Sequence, residues 1–312
     1  MPAQPATRRP VLYYAIGGGL GHLTRARAVL HTLGVDGPIT LISASHFAHD
    51  ARVHGTCDVI APDPTLAHNL PCYRTWLRYQ LDRLRPCALY LDAFPAGILG
   101  EFCGFPLPDM PIYYLARRLR WPVYQRQFTT SPPKLKTTFV FEPLDPAHAR
   151  FVKTQSSQVQ PLELRDPPTP VPESVMQRLH HLKQEERPLW LIVHAGNDDE
   201  ISELLSYAVE VSHREEQQPC FVLIAPRCPP HLPPGVLHLD VYPAQPLFPL
   251  ADRLITAGGF NAMRHAAPFA DRHLAYPFPR RFDDQFARVA LHQRHSTAGA
   301  CALGKLFSRF FL

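Results

Sequence analysis

The chain has 312 residues, 46% of them hydrophobic, and 32 Lys and Arg against 27 Asp and Glu give a net charge of +5. That length accommodates two ordinary domains, each with its own core, and no run of about 18 apolar residues exists that could form a membrane-spanning helix. The mild basic excess suits phosphate-bearing ligands, but no nucleic-acid-binding module accompanies it, so no nucleic-acid partner is expected.

Met1 to Pro10 carries Arg8 and Arg9, but the apolar run that follows ends at Gly17, which is not the pattern of a secretory signal. The seven cysteines, Cys57, Cys72, Cys87, Cys103, Cys220, Cys228 and Cys301, are scattered and contain no CxxC pair. Reduced thiols in a cytoplasmic setting are therefore expected. Residues 11–16, 39–43, 57–60, Ala88–Asp92, 112–115 and 137–141 are short apolar or β-branched runs that read as strands. Segments of helical length, such as 22–33 and 73–84, separate most of them. This alternation predicts a parallel sheet covered by helices, with ligands at the carboxyl ends of the strands. The pattern lapses after Phe141, and residues 161–172 hold five of the 35 prolines, as expected of a semi-rigid interdomain linker. Strand-like runs resume at Leu189–Val193, 220–225, 236–240, 253–256 and His273–Tyr276. The expected organisation is an N-terminal domain at 1–160, a linker at 161–172, a second α/β domain at 173–295 and a tail at 296–312.

The first strand runs into Gly17-Gly18-Gly19-Leu20-Gly21-His22. Glycines permit positive φ and close approach to a ligand, and a helix N-terminus attracts anions. A dinucleotide fingerprint needs a third glycine where His22 stands, despite Asp36 downstream, and the Gly-Lys-Ser/Thr ending of a phosphate loop is absent. The histidine is what distinguishes this turn.

From Gly18 to Leu30 the stretch resembles the first strand-to-helix turn of GT-B glycosyltransferases. The likeness is both to the plant small-molecule UDP-sugar transferases and to the bacterial peptidoglycan N-acetylglucosaminyltransferase. It implies an α/β fold of the GT-B type, two Rossmann-like domains facing an interdomain cleft, with the acceptor on the first domain and the donor on the second. It also implies that His22 is the general base for an acceptor hydroxyl, work that suits an imidazole titrating near neutrality; a helix-start role is the alternative. Asp92 ends a strand-like run in the segment where plant-type members keep the carboxylate that orients this base. It reads equally well as the cap of a helix beginning near Phe94.

Further along, residues 252–265 resemble the donor loop of the same families, in which paired glycines and a helix start receive the nucleotide diphosphate. Here that loop is Gly258, Gly259, Asn261, Ala262 and His265. Asp283-Asp284-Gln285 matches the pair that hydrogen-bonds the transferred sugar, with Asp284 and Gln285 in that role; a helix cap is the plain alternative. His194, Gly196 and Asn197 are similar to a loop that touches the donor, and Gly19 and Gly21 of the first turn join the donor-binding candidates. Asp198 and Asp199 are read as an acidic helix N-terminus rather than metal ligands. The histidines, His46, His49, His180 and His181 among them, show no ligand spacing and are expected on the surface.

Two positions depart from the plant-type pattern. His265 stands where a ribose-binding Glu is expected, and Ala257 where a histidine precedes the glycines, with Arg264 or Arg280 as replacement cations. The short apolar end Phe310-Phe311-Leu312 leaves little chain for a returning C-terminal helix. Arg117, Arg118, Arg120, Arg126, Lys134 and Lys136 interleave with Trp121, Tyr124 and Phe128. They are compatible with peripheral contact with an anionic membrane, or with a solvated face over core aromatics. The resemblance thus implies an inverting, metal-independent hexosyltransferase. It has no cofactor, a nucleotide-sugar co-substrate of the UDP-sugar kind and an acceptor that the residues do not identify. A nucleotide-sugar-binding protein with altered catalysis, or a nucleotide-sugar 2-epimerase, shares the scaffold.

Overall fold

The structure, a computed structural model, describes residues 8–184 and 186–297. Phe310 to Leu312 and the expected tail from residue 298 onward lie outside the described residues. The chain forms two compact units. One comprises the residues up to Thr169 together with Arg281–Asp283, the other Pro170–Arg280 with the residues from Asp284 onward.

Unit 1 alternates β1 (Val11–Tyr14), α1 (Leu20–Thr32), β2 (Ile39–Ile42), α2 (Ala51–His54), β3 (Asp58–Ile60), α3 (Leu70–Leu84), β4 (Ala88–Asp92), β5 (Ile112–Ala116), α4 (Trp121–Tyr124), β6 (Leu135–Val140), α5 (Pro146–Gln155) and β7 (Ser156–Pro161). The strands form one parallel sheet in the order β3-β2-β1-β4-β5-β6-β7. β1 and β4 are buried along their whole length, as expected of strands covered on both faces. Leu12, Tyr14, Leu89, Leu91 and Tyr114 pack against Leu77 and Leu81 of α3 in one core. Strand order reverses at the β1/β4 boundary, the kind of switch point at which open α/β sheets bind their ligands.

Two features differ from the sequence expectation. The lapse after Phe141 is in fact α5 followed by β7, an edge strand whose sequence, Ser-Ser-Gln-Val-Gln-Pro, is mostly exposed. An edge strand needs no apolar run, and its outer side tolerates Pro161. The proline-rich segment after β7 is not a free spacer in its first half. Thr32 of α1 accepts the Arg165 N–H at 2.8 Å, Arg27 donates to Thr169 at 3.5 Å, and Leu164 is buried.

Unit 2 contains α6 (Glu173–Lys183), β8 (Leu189–Val193), α7 (Asp198–Arg214), β9 (Cys220–Ile224), β10 (Leu237–Leu239), β11 (Arg253–Ala257), α8 (Phe260–Ala266), β12 (His273–Tyr276) and α9 (Gln285–Thr297). Its parallel sheet runs β10-β9-β8-β11-β12, so the reversal falls between β8 and β11. Apolar side chains fill both faces of this sheet, Leu189, Leu191 and Val222 on one and Trp190, Ile192 and Leu223 on the other.

Candidate active site

In unit 1 the loop after β1 and the end of β4 meet at the point where strand order reverses. β1 and β4 are hydrogen-bonded neighbours, with Tyr14 opposite Leu91, and this pairing brings Asp92 beside the start of α1. None of Gly17, Gly18, Gly19 and Gly21 has a positive φ, so backbone freedom is not why they are glycines. Gly17 is instead a matter of space. A Cβ there would lie 2.3 Å from Cδ2 and 2.4 Å from Nε2 of His22, whereas one on Gly18 or Gly19 would meet nothing within 4 Å. Gly17 is the floor on which the imidazole rests. Gly19 is the N-cap residue of α1 and Gly21 lies within its first turn.

His22 Nδ1 lies 2.5 Å from Asp92 Oδ2. Arg25, one helical turn further along α1, donates Nε to Oδ1 at 2.6 Å and Nη2 to Oδ2 at 2.5 Å, and Tyr13 reaches Oδ1 at 3.3 Å. Arg25 and Asp92 are both 2% exposed, and the His22 side chain retains 14%. Burial by itself would push the Asp92 carboxyl up, but the Arg25 guanidinium and then His22 outweigh it and hold the group well below the usual carboxylate range. Burial pushes His22 down; the bond to Asp92 opposes this, and Arg25 and Arg117 add to it. The imidazole is therefore neutral at pH 7. With Asp92 ionised, Nδ1 carries the proton and Nε2 keeps its lone pair.

Asp92 caps no helix. Its backbone carbonyl accepts the Phe94 N–H at 2.8 Å in a turn, and no helix begins near Phe94. Ala93 takes a left-handed φ of 64°, a conformation that costs a non-glycine residue roughly 1 kcal/mol or more and clusters at functional sites. Tyr114 donates to the Ala93 carbonyl at 2.9 Å, which secures the turn.

Around this centre Arg117 pairs with Asp283, and Arg281–Asp283 is fastened to unit 1. The Arg120 N–H donates to the Phe282 carbonyl at 2.7 Å, Leu119 bridges Asp283, and Phe282 packs edge-on against Phe94 and Tyr124. Trp121 and Tyr124 are core residues at 1% and 0% exposure, so in the basic stretch only Arg120, Arg126, Lys134 and Lys136 are surface groups. His46, His49, His180 and His181 are exposed, and among the described residues no group of three or more His, Cys, Asp or Glu is arranged to hold a metal ion.

In unit 2 the residues after β8 are committed to one another. Glu200, in the first turn of α7, pairs with His194 Nε2 at 2.7 Å and accepts both terminal nitrogens of Arg280, one at 2.7 Å. The Asn197 side chain caps α7 by accepting the Glu200 N–H at 2.9 Å. Gly196 is required because a Cβ there would lie 2.1 Å from His194 Nε2 and 2.2 Å from Glu200 Oε2. Burial works against the Glu200 charge, yet His194 and Arg280 bring its carboxyl down to about 2. Asp198, Asp199 and Glu200 already supply negative charge to this helix N-terminus.

The glycine pair after β11 is different. Gly258 is packed, since its Cβ would meet Val289 at 2.7 Å and Gln285 at 3.2 Å, and Arg288 donates to its carbonyl at 2.9 Å. Gly259, the N-cap residue of α8, faces open space, and the first turn of α8, which holds Asn261 and Ala262, carries no acid. His265 lies in the last turn of α8, 2.7 Å from Arg264 Nη2. Asp283-Asp284-Gln285 is divided between roles. Asp283 pairs with Arg117 in unit 1, and Asp284 caps α9 through the Ala287 N–H at 3.1 Å. Gln285, 4% exposed, accepts the Phe278 N–H at 3.0 Å. The cap geometry weighed for this motif is what Asp284 displays. Arg25, Glu200 and Arg288, which contact Asp92, His194 and Gly258, are residues that motif reading passed over. For Arg25 a signal existed, a basic residue three positions after His22 and so on the same helical face.

No protein-family model matches the sequence, and no curated protein matches it significantly. Solved structures do. The spinosyn forosaminyltransferase SpnP superposes over 92% of this chain and 83% of its own, with a TM-score of 0.58 at 12% identity. The spinosyn rhamnosyltransferase SpnG, complexed with thymidine diphosphate, covers 93% and 85% with a TM-score of 0.56 at 15% identity. The UDP-GlcNAc 2-epimerase of Neisseria meningitidis, bound to UDP-GlcNAc, covers 90% and 85% with a TM-score of 0.53 at 14% identity. The two parallel sheets, their strand orders and these similarities give the chain the fold of the GT-B glycosyltransferases.

Proposed function

We propose that the protein is an inverting glycosyltransferase that moves a sugar from a nucleotide-sugar donor to an acceptor hydroxyl without a metal ion. The observation that carries this reading is the buried His22–Asp92 pair at the carboxyl ends of β1 and β4, with a neutral imidazole whose Nε2 has no hydrogen-bond partner among the described residues. In the reaction, Nε2 takes the proton of the acceptor hydroxyl and its oxygen attacks the anomeric carbon. The bond from that carbon to the diphosphate breaks, and its electron pair leaves with the phosphate oxygen. Asp92 stabilises the imidazolium as the proton arrives. The diphosphate is assigned to the turn at Gly259, whose N–H groups are not opposed by first-turn acids. Nearby positive charge comes from Arg288, since Arg280 is held by Glu200 and Arg264 contacts His265.

The test is release of nucleoside diphosphate from a panel of UDP-, dTDP- and GDP-sugars with candidate acceptors, in EDTA, for wild type and His22→Ala. Loss of a general base costs about 10²–10⁴-fold in turnover; a variant as active as wild type refutes the base assignment. The epimerase reading differs in consuming the donor with no acceptor present, and a binding protein differs in taking up nucleotide-sugar, by calorimetry, without turnover.

A further inference from the structure

We propose that Arg25 is a positioning residue for the base: by occupying both oxygens of Asp92 it prevents Asp92 and His22 from closing into a carboxylate–imidazolium pair and keeps Nε2 a lone-pair acceptor. This rests on His22 being the base. The guanidinium meets the carboxylate as a two-pronged fork, through Nε to Oδ1 and Nη2 to Oδ2. Nη2 also approaches His22 Nδ1 at 3.2 Å. Arginine cannot accept a hydrogen bond, so Nη2 and Nδ1–H are two donors converging on one oxygen, which fixes the tautomer.

A count of buried charge shows what the fork does. His22 feels the charges of Asp92 from β4, Arg25 on its own helix and Arg117 after β5, and these in turn interact with Tyr13 from β1, Tyr114 from β5 and Asp283 from the returning segment. Both phenols are pushed up by burial and stay neutral. Arg25 and Arg117 balance Asp92 and Asp283, so the set is neutral only when the imidazole is neutral. Without Arg25 the set carries one net negative charge, and a proton on His22 would cancel it. Arg25 thereby adds its charge to burial in favouring the neutral form of His22 against the pull of Asp92.

The experiment is titration of the His22 Cε1 resonance in the full-length chain without substrate, for wild type, Arg25→Met, Arg25→Lys and Asp92→Asn. Arg25→Met is expected to raise the His22 midpoint by about 1–3 pH units, the effect of one nearby charge. Arg25→Lys keeps the positive charge and holds the midpoint close to wild type, and Asp92→Asn moves the midpoint below wild type because Arg25 is left uncompensated. In the transfer assay the acid limb of the pH–rate profile of Arg25→Met moves upward by the same amount, with activity recovered at high pH. A purely structural role for Arg25 predicts no upward shift in folded Arg25→Met and no difference between Arg25→Met and Arg25→Lys, whereas the fall in Asp92→Asn follows from loss of the carboxylate in either case. A wild-type midpoint in folded Arg25→Met overturns the proposal. If that variant does not fold, Arg25→Gln, which keeps hydrogen-bond donors but drops the charge, takes its place, and a wild-type midpoint there overturns the proposal. Full turnover by His22→Ala would instead sink the base reading and leave the titration result standing.

Discussion

Gly17→Ala tests whether the opening glycine serves the histidine or a ligand. The added Cβ stands 2.3 Å from Cδ2 and 2.4 Å from Nε2 of His22, and ordinary carbon contacts begin near ~3.5 Å, so the ring must give way by roughly 1 Å. Backbone strain does not contribute, because Gly17 lies outside the left-handed region. The imidazole is also held at 2.5 Å by Asp92, so retreat lengthens or tilts that bond. Losing a hydrogen bond to a charged group costs about 1.5–3 kcal/mol, and the stiffer unfolded chain returns about 0.4–1 kcal/mol, leaving a net loss of about 1–2 kcal/mol. A base displaced by about 1 Å loses on the order of 10²-fold in turnover. Nucleoside diphosphate release and chemical denaturation measure the two effects, with Gly18→Ala as the control whose Cβ meets nothing within 4 Å. Wild-type turnover in Gly17→Ala, or an equal loss in Gly18→Ala, refutes the reasoning.

The second glycine pair separates in the same way. Gly258→Ala drives a Cβ against Val289 and Gln285 of α9 and destabilises by about 1–3 kcal/mol in thermal or urea unfolding, whereas Gly259→Ala leaves the melting temperature unchanged and weakens nucleoside diphosphate binding by calorimetry. Asp92→Asn leaves Arg25 buried without its anion and costs about 3–5 kcal/mol at neutral pH. Because the folded carboxyl is held below its ordinary value, that stabilisation is present above the unfolded value of about 3.9 and is lost as pH falls. The gap between wild type and variant in urea midpoints therefore closes on acidification. Glu101 behaves oppositely. It is fully buried against Tyr14 and the Leu99 N–H, and burial pushes its carboxyl up despite these bonds. Its contribution is complete below the unfolded value of about 4.3 and is lost as pH rises through the higher folded one. Wild type consequently loses stability relative to Glu101→Gln as pH rises, and a constant difference refutes this.

Much of the molecule is legible in one dimension. Strands buried on both faces must be apolar runs, so Ala88–Asp92 and Leu189–Val193 are visible with their boundaries intact, and the edge strand His273–Tyr276 keeps enough apolar character to be read as well. The likeness around His22, Gly258 and Asp284 pointed to the GT-B fold that the solved structures share. What stayed hidden is polar or relational. β7 is a solvated edge strand with no hydrophobic signal. The functions of Gly17, Gly196 and Gly258 depend on which side chain occupies the volume where a Cβ would stand, which no local pattern encodes. His22 and Asp92 were each legible as candidates from the motifs around them. Their union with Arg25 exists because β1 and β4 are adjacent in a doubly wound sheet and α1 returns two residues of one face to the same carboxylate. Residue types and spacing determined the elements and the fold. Only the tertiary structure decided which charges share a buried volume, and in a medium of low polarisability that sharing sets the protonation state of His22.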